Sequence, residues 1–273
     1  MSRKTARRAT QSQNASEAET ASGSSPNGVA PSSDNPPGTA APAKRSPWRP
    51  VGVTLLATLV VTALSYGLPD AYQATGVGLV FLGATYALVL RHESETVRRH
   101  GLSLGGLFES APLSAARLLR SFGGAFGWAF ATACVVLPPF WIGWVAFWKP
   151  PGPFLPARLG SVLDEALGQW LVIALPEECF YRGYLQSELD EIWKPRVRVL
   201  GAELGPSLIV TSALFAAGHL ATELDVNRLA VFFPSLLFGW LRARTRGVGA
   251  SVAFHAACNL FAAYLARSYD LGR

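Results

Sequence analysis

Charge is scarce in this chain. Only 15% of its 273 residues are Asp, Glu, Lys or Arg, against about 25% in a typical soluble domain. An ordinary water-facing surface is therefore excluded. A hydrophobic fraction of 50% and a mean hydropathy of +0.25 point instead to helices solvated by lipid. Cysteine is sparse too. Cys134, Cys179 and Cys258 are odd in number, unevenly spaced and set in apolar stretches, which argues against a disulfide framework and leaves no Cys-rich metal knuckle. Cys179 and Cys258 read as small packing residues. The chain has 4 histidines, so their placement carries weight. The net charge of +6 does not imply nucleic-acid binding, because in a membrane protein basic residues mark cytoplasmic loops. The run RARTR at 242–246 is read as such an anchor.

What is present divides at about residue 47. Residues 1–47 are rich in Ser, Ala, Pro, Asn and Gly; such a stretch cannot bury a core and is expected to be a disordered cytoplasmic tail. It has no apolar h-region and is not read as a signal peptide. Residues 48–273 are expected to form one all-α integral membrane domain, a polytopic bundle of about seven spans. The apolar runs lie at about 50–67, 73–90, 121–148, 162–182, 206–221, 229–241 and 248–266, and the sixth is short for a crossing of roughly 20 residues. The third can tilt or bend at Pro138-Pro139. With the N-terminus inside, most of the 24 Lys and Arg fall on cytoplasmic flanks, which favours N-in, C-out. The segment 91–117 is then a cytoplasmic loop with some interfacial helix, and His92 and His100 within it are expected to be solvated. Most of the 8 tryptophans sit near span ends and read as interface anchors.

Three polar constellations break the apolar pattern within 162–266: Glu177-Glu178-x-x-x-Arg182, Phe215-x-x-x-His219 and His255-x-x-x-Asn259. Ionisable residues in a span are costly and default to a functional reading. Residues i and i+4 share a helix face, so Glu178 can pair with Arg182, and His255 and Asn259 point the same way. Glu177 points about 100° away from Glu178, so the two glutamates are expected to do different work. Pro176 lacks an N–H and loosens the helical ladder just before them. A carboxylate beside imidazoles in a low-dielectric pocket has its charged form disfavoured, as a general base requires. One Glu and two His can activate water directly, or hold zinc as Glu177, His219 and His255 with an open position. Asn259 offers an amide N–H to a developing oxyanion.

In that order on successive late spans, EExxxR, FxxxH and HxxxN resemble the CPBP family of intramembrane proteases, which includes the CAAX prenyl proteases and bacterial Abi proteins. Each motif alone is weakly specific; the resemblance carried by the three together covers about residues 120–266. The resemblance implies that Glu177 activates water, that His219 assists it, and that His255 and Asn259 serve the oxyanion. Glu178, Arg182 and Phe215 match supporting positions. The string EECFYRGYLQ is similar to the myxosortase-like sorting branch. The implied activity is endopeptidase cleavage near the membrane interface of a membrane-anchored protein, with C-terminal processing or sorting as a refinement. The partners are that substrate and the bilayer, with no nucleic acid. No cofactor is expected, with zinc as the alternative, and the setting is a bacterial inner membrane. Two other classes compete: a non-catalytic immunity or scaffold protein, which would tolerate loss of the polar residues, and a proton-relay transporter. The transporter class often shows internal repeats, whereas here the polar residues cluster in one half without a repeat.

Overall fold

A computed structural model describes residues 46–271 apart from 159, 161 and 163. The expected disordered tail, residues 1–47, falls almost wholly outside the described residues. Most of those described are helical. Helix α1 is Trp48–Gly67, α2 is Asp70–Leu90 with its last turn π-helical, and α3 is the short Ser94–Arg99. Helix α4 runs over Ala115–Trp148. A composite helix, α5, covers 168–192 and alternates between π-helical Gly168–Ala174, α-helical Leu175–Glu178, π-helical Cys179–Gln186 and α-helical Ser187–Ile192. A small antiparallel hairpin pairs β1 (Val197–Val199) with β2 (Ala202–Leu204). Helices α6 (Pro206–Thr222), α7 (Phe232–Thr245) and α8 (Gly249–Ser268) complete the bundle.

Four helices, α1, α2, α4 and α8, are long and apolar enough to cross a membrane. The remaining three of the seven anticipated segments are helical but shorter or interrupted. Helix α6 has 17 residues and α7 has 14, and α5 changes its hydrogen-bonding pattern three times. These are the helices that carry most of the polar constellations, and they pack against one another inside the bundle. The burial of the apolar windows ranks the long helices: 44% for α8, 22% for α1 and α2, and 6% for α4. Helix α8 is therefore central and α4 peripheral. Phe130, Val135 and Ile142 on α4 are exposed, as a lipid-facing surface requires. Pro138 and Pro139 lie within α4, which continues past them to Trp148.

One contact fixes how α2 meets α5. Pro176 has no N–H to offer the Val172 carbonyl four residues earlier. Gly78 of α2 packs directly against that carbonyl: a Cβ at position 78 would lie 2.4 Å from the Val172 oxygen. Backbone cannot swing aside, so Gly78→Ala must push the helices apart. We expect a loss of about 1–3 kcal/mol, read as a lower unfolding midpoint in mild detergent.

His100 departs from expectation. It is buried, not solvated: Nδ1 lies 2.8 Å from the Thr96 carbonyl, and Nε2 lies 3.2 Å from Glu188 Oε1 at the far end of α5. Its charged sequence neighbours conceal a docking contact between the 91–117 segment and α5. His92 is exposed.

Candidate active site

The two glutamates sit where α5 changes from π- to α-helical hydrogen bonding, immediately after Pro176. Short π-helical stretches are rare and concentrate at functional sites. Glu178 is fully buried and Arg182 equally so. Arg182 Nε lies 3.3 Å from Glu178 Oε2, close enough for an ion pair but out of line for a hydrogen bond. The other edge of the guanidinium is held by α7: Nη2 donates to the Ser235 hydroxyl at 2.9 Å and to the Ser235 carbonyl at 3.3 Å. The Arg182 guanidinium carbon also lies 5.0 Å from the Phe215 ring centre and 5.6 Å from that of Phe238, a cation–π arrangement in a dry setting.

Glu178 has a second partner. His255 Nδ1 lies 3.0 Å from Glu178 Oε1. A carboxylate only accepts, so Nδ1 carries the proton and Nε2 faces the other way. His255 stacks on Phe238 with centroids 4.6 Å apart and a 14° interplanar angle, which fixes the ring plane. Its Nε2 lies 3.9 Å from Glu177 Oε2. That exceeds a direct hydrogen bond and suits a bridging water.

Glu177 has different surroundings. Its Oε2 has no hydrogen-bond partner, and its carboxylate lines two adjoining cavities. The inner one, about 90 Å³, is also lined by His219 and Tyr181, with Thr58 from α1 and Phe81 from α2. The outer one, about 220 Å³, continues past Val172 to Gln73, Glu223 and Arg228 at one end of the bundle. His219 Nδ1 lies 3.0 Å from the Phe215 carbonyl. A carbonyl also only accepts, so His219 holds its proton on Nδ1 and keeps the Nε2 lone pair free. Phe215 touches both imidazoles, with centroids 4.4 Å from His219 and 6.0 Å from His255.

The structure thus gathers Glu177, Glu178, Arg182, Phe215, His219 and His255 into one region. Asn259, one turn after His255 on α8, donates its Nδ2 to Gln169 Oε1 at 2.9 Å. That uses one of its two amide protons. Several contributors escape the sequence reading, namely Gln169, Tyr181, Ser235, Phe238 and Thr58. All act across helices, and a one-dimensional spacing rule does not reach across helices. Ser235 and Phe238, three residues apart and hence on one helix face, are the one partial signal.

The same donors bear on zinc. Each imidazole presents its Nε2, a chemistry that suits the metal. Among the described residues, however, no group of three His, Cys, Asp or Glu side chains is gathered to hold a metal ion.

Comparison with protein families gives one match. Residues 160–261 match the family described as type II CAAX prenyl endopeptidase, Rce1-like. That stretch is similar to a CAAX-protease domain. The matched stretch contains α5 to α7 and the first part of α8, and hence all three motifs. It supports the CPBP family as a whole and does not single out the sorting branch. Comparison with curated proteins and with solved structures finds no match. Together with the four apolar helices, the match supports an integral membrane protein and, in general terms, a CAAX-type endopeptidase.

Proposed function

We propose that the protein hydrolyses a peptide bond near the membrane interface of a membrane-anchored protein, using water activated by Glu177 and His219. The carrying observation is the inner cavity, which Glu177 and His219 line together with apolar and hydroxyl-bearing walls. At about 90 Å³ it has room for water, and it offers the several polar partners a buried water needs. It is too small for a peptide. The scissile carbonyl therefore approaches through the outer cavity, which shares Glu177 and opens near Glu223 and Arg228.

In this mechanism, the Glu177 carboxylate takes a proton from the water while His219 Nε2 accepts a hydrogen bond from it and orients it. The oxygen attacks the carbonyl carbon. His255, polarised through Nδ1 by Glu178, can donate from Nε2 when protonated. Asn259 supplies its second amide proton to the same oxyanion. Protonated Glu177 then returns the proton to the leaving amine. Arg182 holds Glu178, and Phe215 sets the spacing of the two imidazoles. No metal is required by this sequence of steps. We infer a cytoplasmic N-terminus from the distribution of Lys and Arg along the chain, and propose a bacterial cell membrane and C-terminal processing or sorting on the similarity of EECFYRGYLQ to the sorting branch.

The test is cleavage in liposomes with a library of C-terminally anchored peptides, with and without a zinc chelator. Cleavage that survives the chelator supports the glutamate mechanism, and cleavage abolished by the chelator and restored by zinc overturns it. Wild-type protein that cuts soluble peptides and leaves anchored ones intact overturns the substrate class.

A further inference from the structure

A cavity of about 670 Å³ shares no lining residue with either cavity described above. It is formed where three helices end together: the first turns of α4, the last turn of α7 and the start of α8, closed by the 98–109 loop. Five arginines line it: Arg98, Arg117, Arg120, Arg244 and Arg246.

Only part of that charge is answered. Glu109, with its side chain buried, lies 3.1 Å from Arg98 and 3.3 Å from Arg117. It also accepts a hydrogen bond from the Ser103 hydroxyl. The Ser103 hydrogen bond and the two guanidinium groups hold the Glu109 carboxyl below the usual carboxylate range, against the opposing effect of burial. Its oxygens are committed. Among the described residues, no carboxylate pairs with Arg120, Arg244 or Arg246. Arg117 Nε and Nη2 and Arg244 Nε are buried without hydrogen-bond partners.

The cationic lining is built and held. The Arg117 guanidinium lies against Gly106, where φ is +104°, a conformation that favours glycine, and a Cβ there would displace the guanidinium. Arg244 stacks 4.4 Å from the centre of the Trp128 ring. Gly249 and Ala250, in the first turn of α8, also line the cavity. They follow an N-cap, Val248, that offers no side-chain acceptor. Leu104, Ala125 and Trp128 give the cavity an apolar wall.

We propose that this cavity binds a phosphate-bearing group, supplied by the headgroup of an anionic phospholipid. Guanidinium forks suit phosphate oxygens, and the first turn of a helix favours an anion. The position selects the source. Helices that run from here into lipid put the cavity at headgroup depth, with the apolar wall beside the glycerol end of a lipid. Basic pockets between membrane helices recognise such headgroups.

The experiment uses the full chain in a neutral detergent. It is titrated with short-chain phosphatidylglycerol, short-chain phosphatidylcholine or inorganic phosphate, and binding is read from the unfolding midpoint and by calorimetry. The test variant is Arg120→Gln/Arg246→Gln, whose side chains are exposed and unpaired, so folding is not at stake. The control is Arg196→Gln/Arg198→Gln on the exposed hairpin. Saturable binding of phosphatidylglycerol is expected. It should weaken by roughly thirtyfold in the test variant at about one kcal/mol per arginine, persist in the control, and weaken with salt. Inorganic phosphate competing as strongly as the lipid would keep the phosphate site and assign it to free phosphate. Equal lipid binding in wild type and test variant, an equal loss in the control, or equal response to phosphatidylcholine would overturn the proposal.

Discussion

Replacing Glu177 by Gln should lower the rate of cleavage by about 10²–10⁴-fold, the usual scale for removing a general base, while leaving the bundle folded. Gln keeps the shape of Glu but cannot take a proton from water at neutral pH. The fold should tolerate the change because Glu177 Oε2 has no hydrogen-bond partner to lose, and its nearest cation-forming neighbour, His255 Nε2, is 3.9 Å away. Neutralising a nearly buried carboxylate removes a desolvation cost, so the unfolding midpoint should hold or rise. His219→Ala should fall in the same range. The double variant should be little worse than either single one, since two groups acting on one water are not additive. The measurement is single-turnover cleavage of an anchored peptide in liposomes, with the unfolding midpoint measured on the same preparations. Cleavage by Glu177→Gln at the wild-type rate would make Glu177 structural. A large fall in midpoint would show that the carboxylate supports the fold, and the kinetic loss could then not be assigned to chemistry.

The contrast between the neighbouring glutamates shows where one-dimensional reasoning reaches and where it stops. Apolar runs and their flanking charges announce a helical membrane bundle, because composition and period are properties of single segments. The i,i+4 rule places Glu178 beside Arg182 for the same reason. It cannot place His255 on Glu178, 77 residues away, nor Gln169 on Asn259, nor Ser235 on Arg182, since these contacts depend on helix packing. Helix length is limited in a related way, and by itself it picks out four of the seven anticipated segments. A helix sheltered by other protein does not need the full bilayer length, so α6 and α7 are shorter than the roughly 20 residues a lone crossing requires. The π-helical stretches around Pro176 have only that proline as a hint. His100 is misread from sequence because charged neighbours suggest solvent, whereas its ring bridges Thr96 and Glu188. The part played by α1 and α2 is not legible either. Thr58, Val77 and Phe81 close the Glu177 cavity, and nothing in their apolar runs distinguishes them from packing residues.

Removing the Arg182 charge should damage the fold itself. Arg182→Met keeps most of the side-chain length but leaves Glu178, which has no exposed surface, as a buried carboxylate without its cation. Breaking a buried pair from one side typically costs about 3–5 kcal/mol. The two bonds to Ser235 and the contacts with the Phe215 and Phe238 rings disappear with it. These tie α5 to α7 and α6, so the unfolding midpoint in detergent should drop sharply and cleavage should fall with it. The informative variant is the double one. Adding Glu178→Gln to Arg182→Met removes the stranded charge and should recover part of the stability, giving a coupling energy that neither single change reports. Recovery of stability need not restore cleavage. The amide that replaces the Glu178 carboxylate can still accept from His255 Nδ1, but it no longer stabilises the imidazolium that the oxyanion step uses. A stable, inactive double variant would separate the structural role of Arg182 from the catalytic role of the Glu178–His255 pair. A double variant no more stable than Arg182→Met would locate the cost in the lost Ser235 and aromatic contacts, and the buried charge would then not be what Arg182 is there to balance.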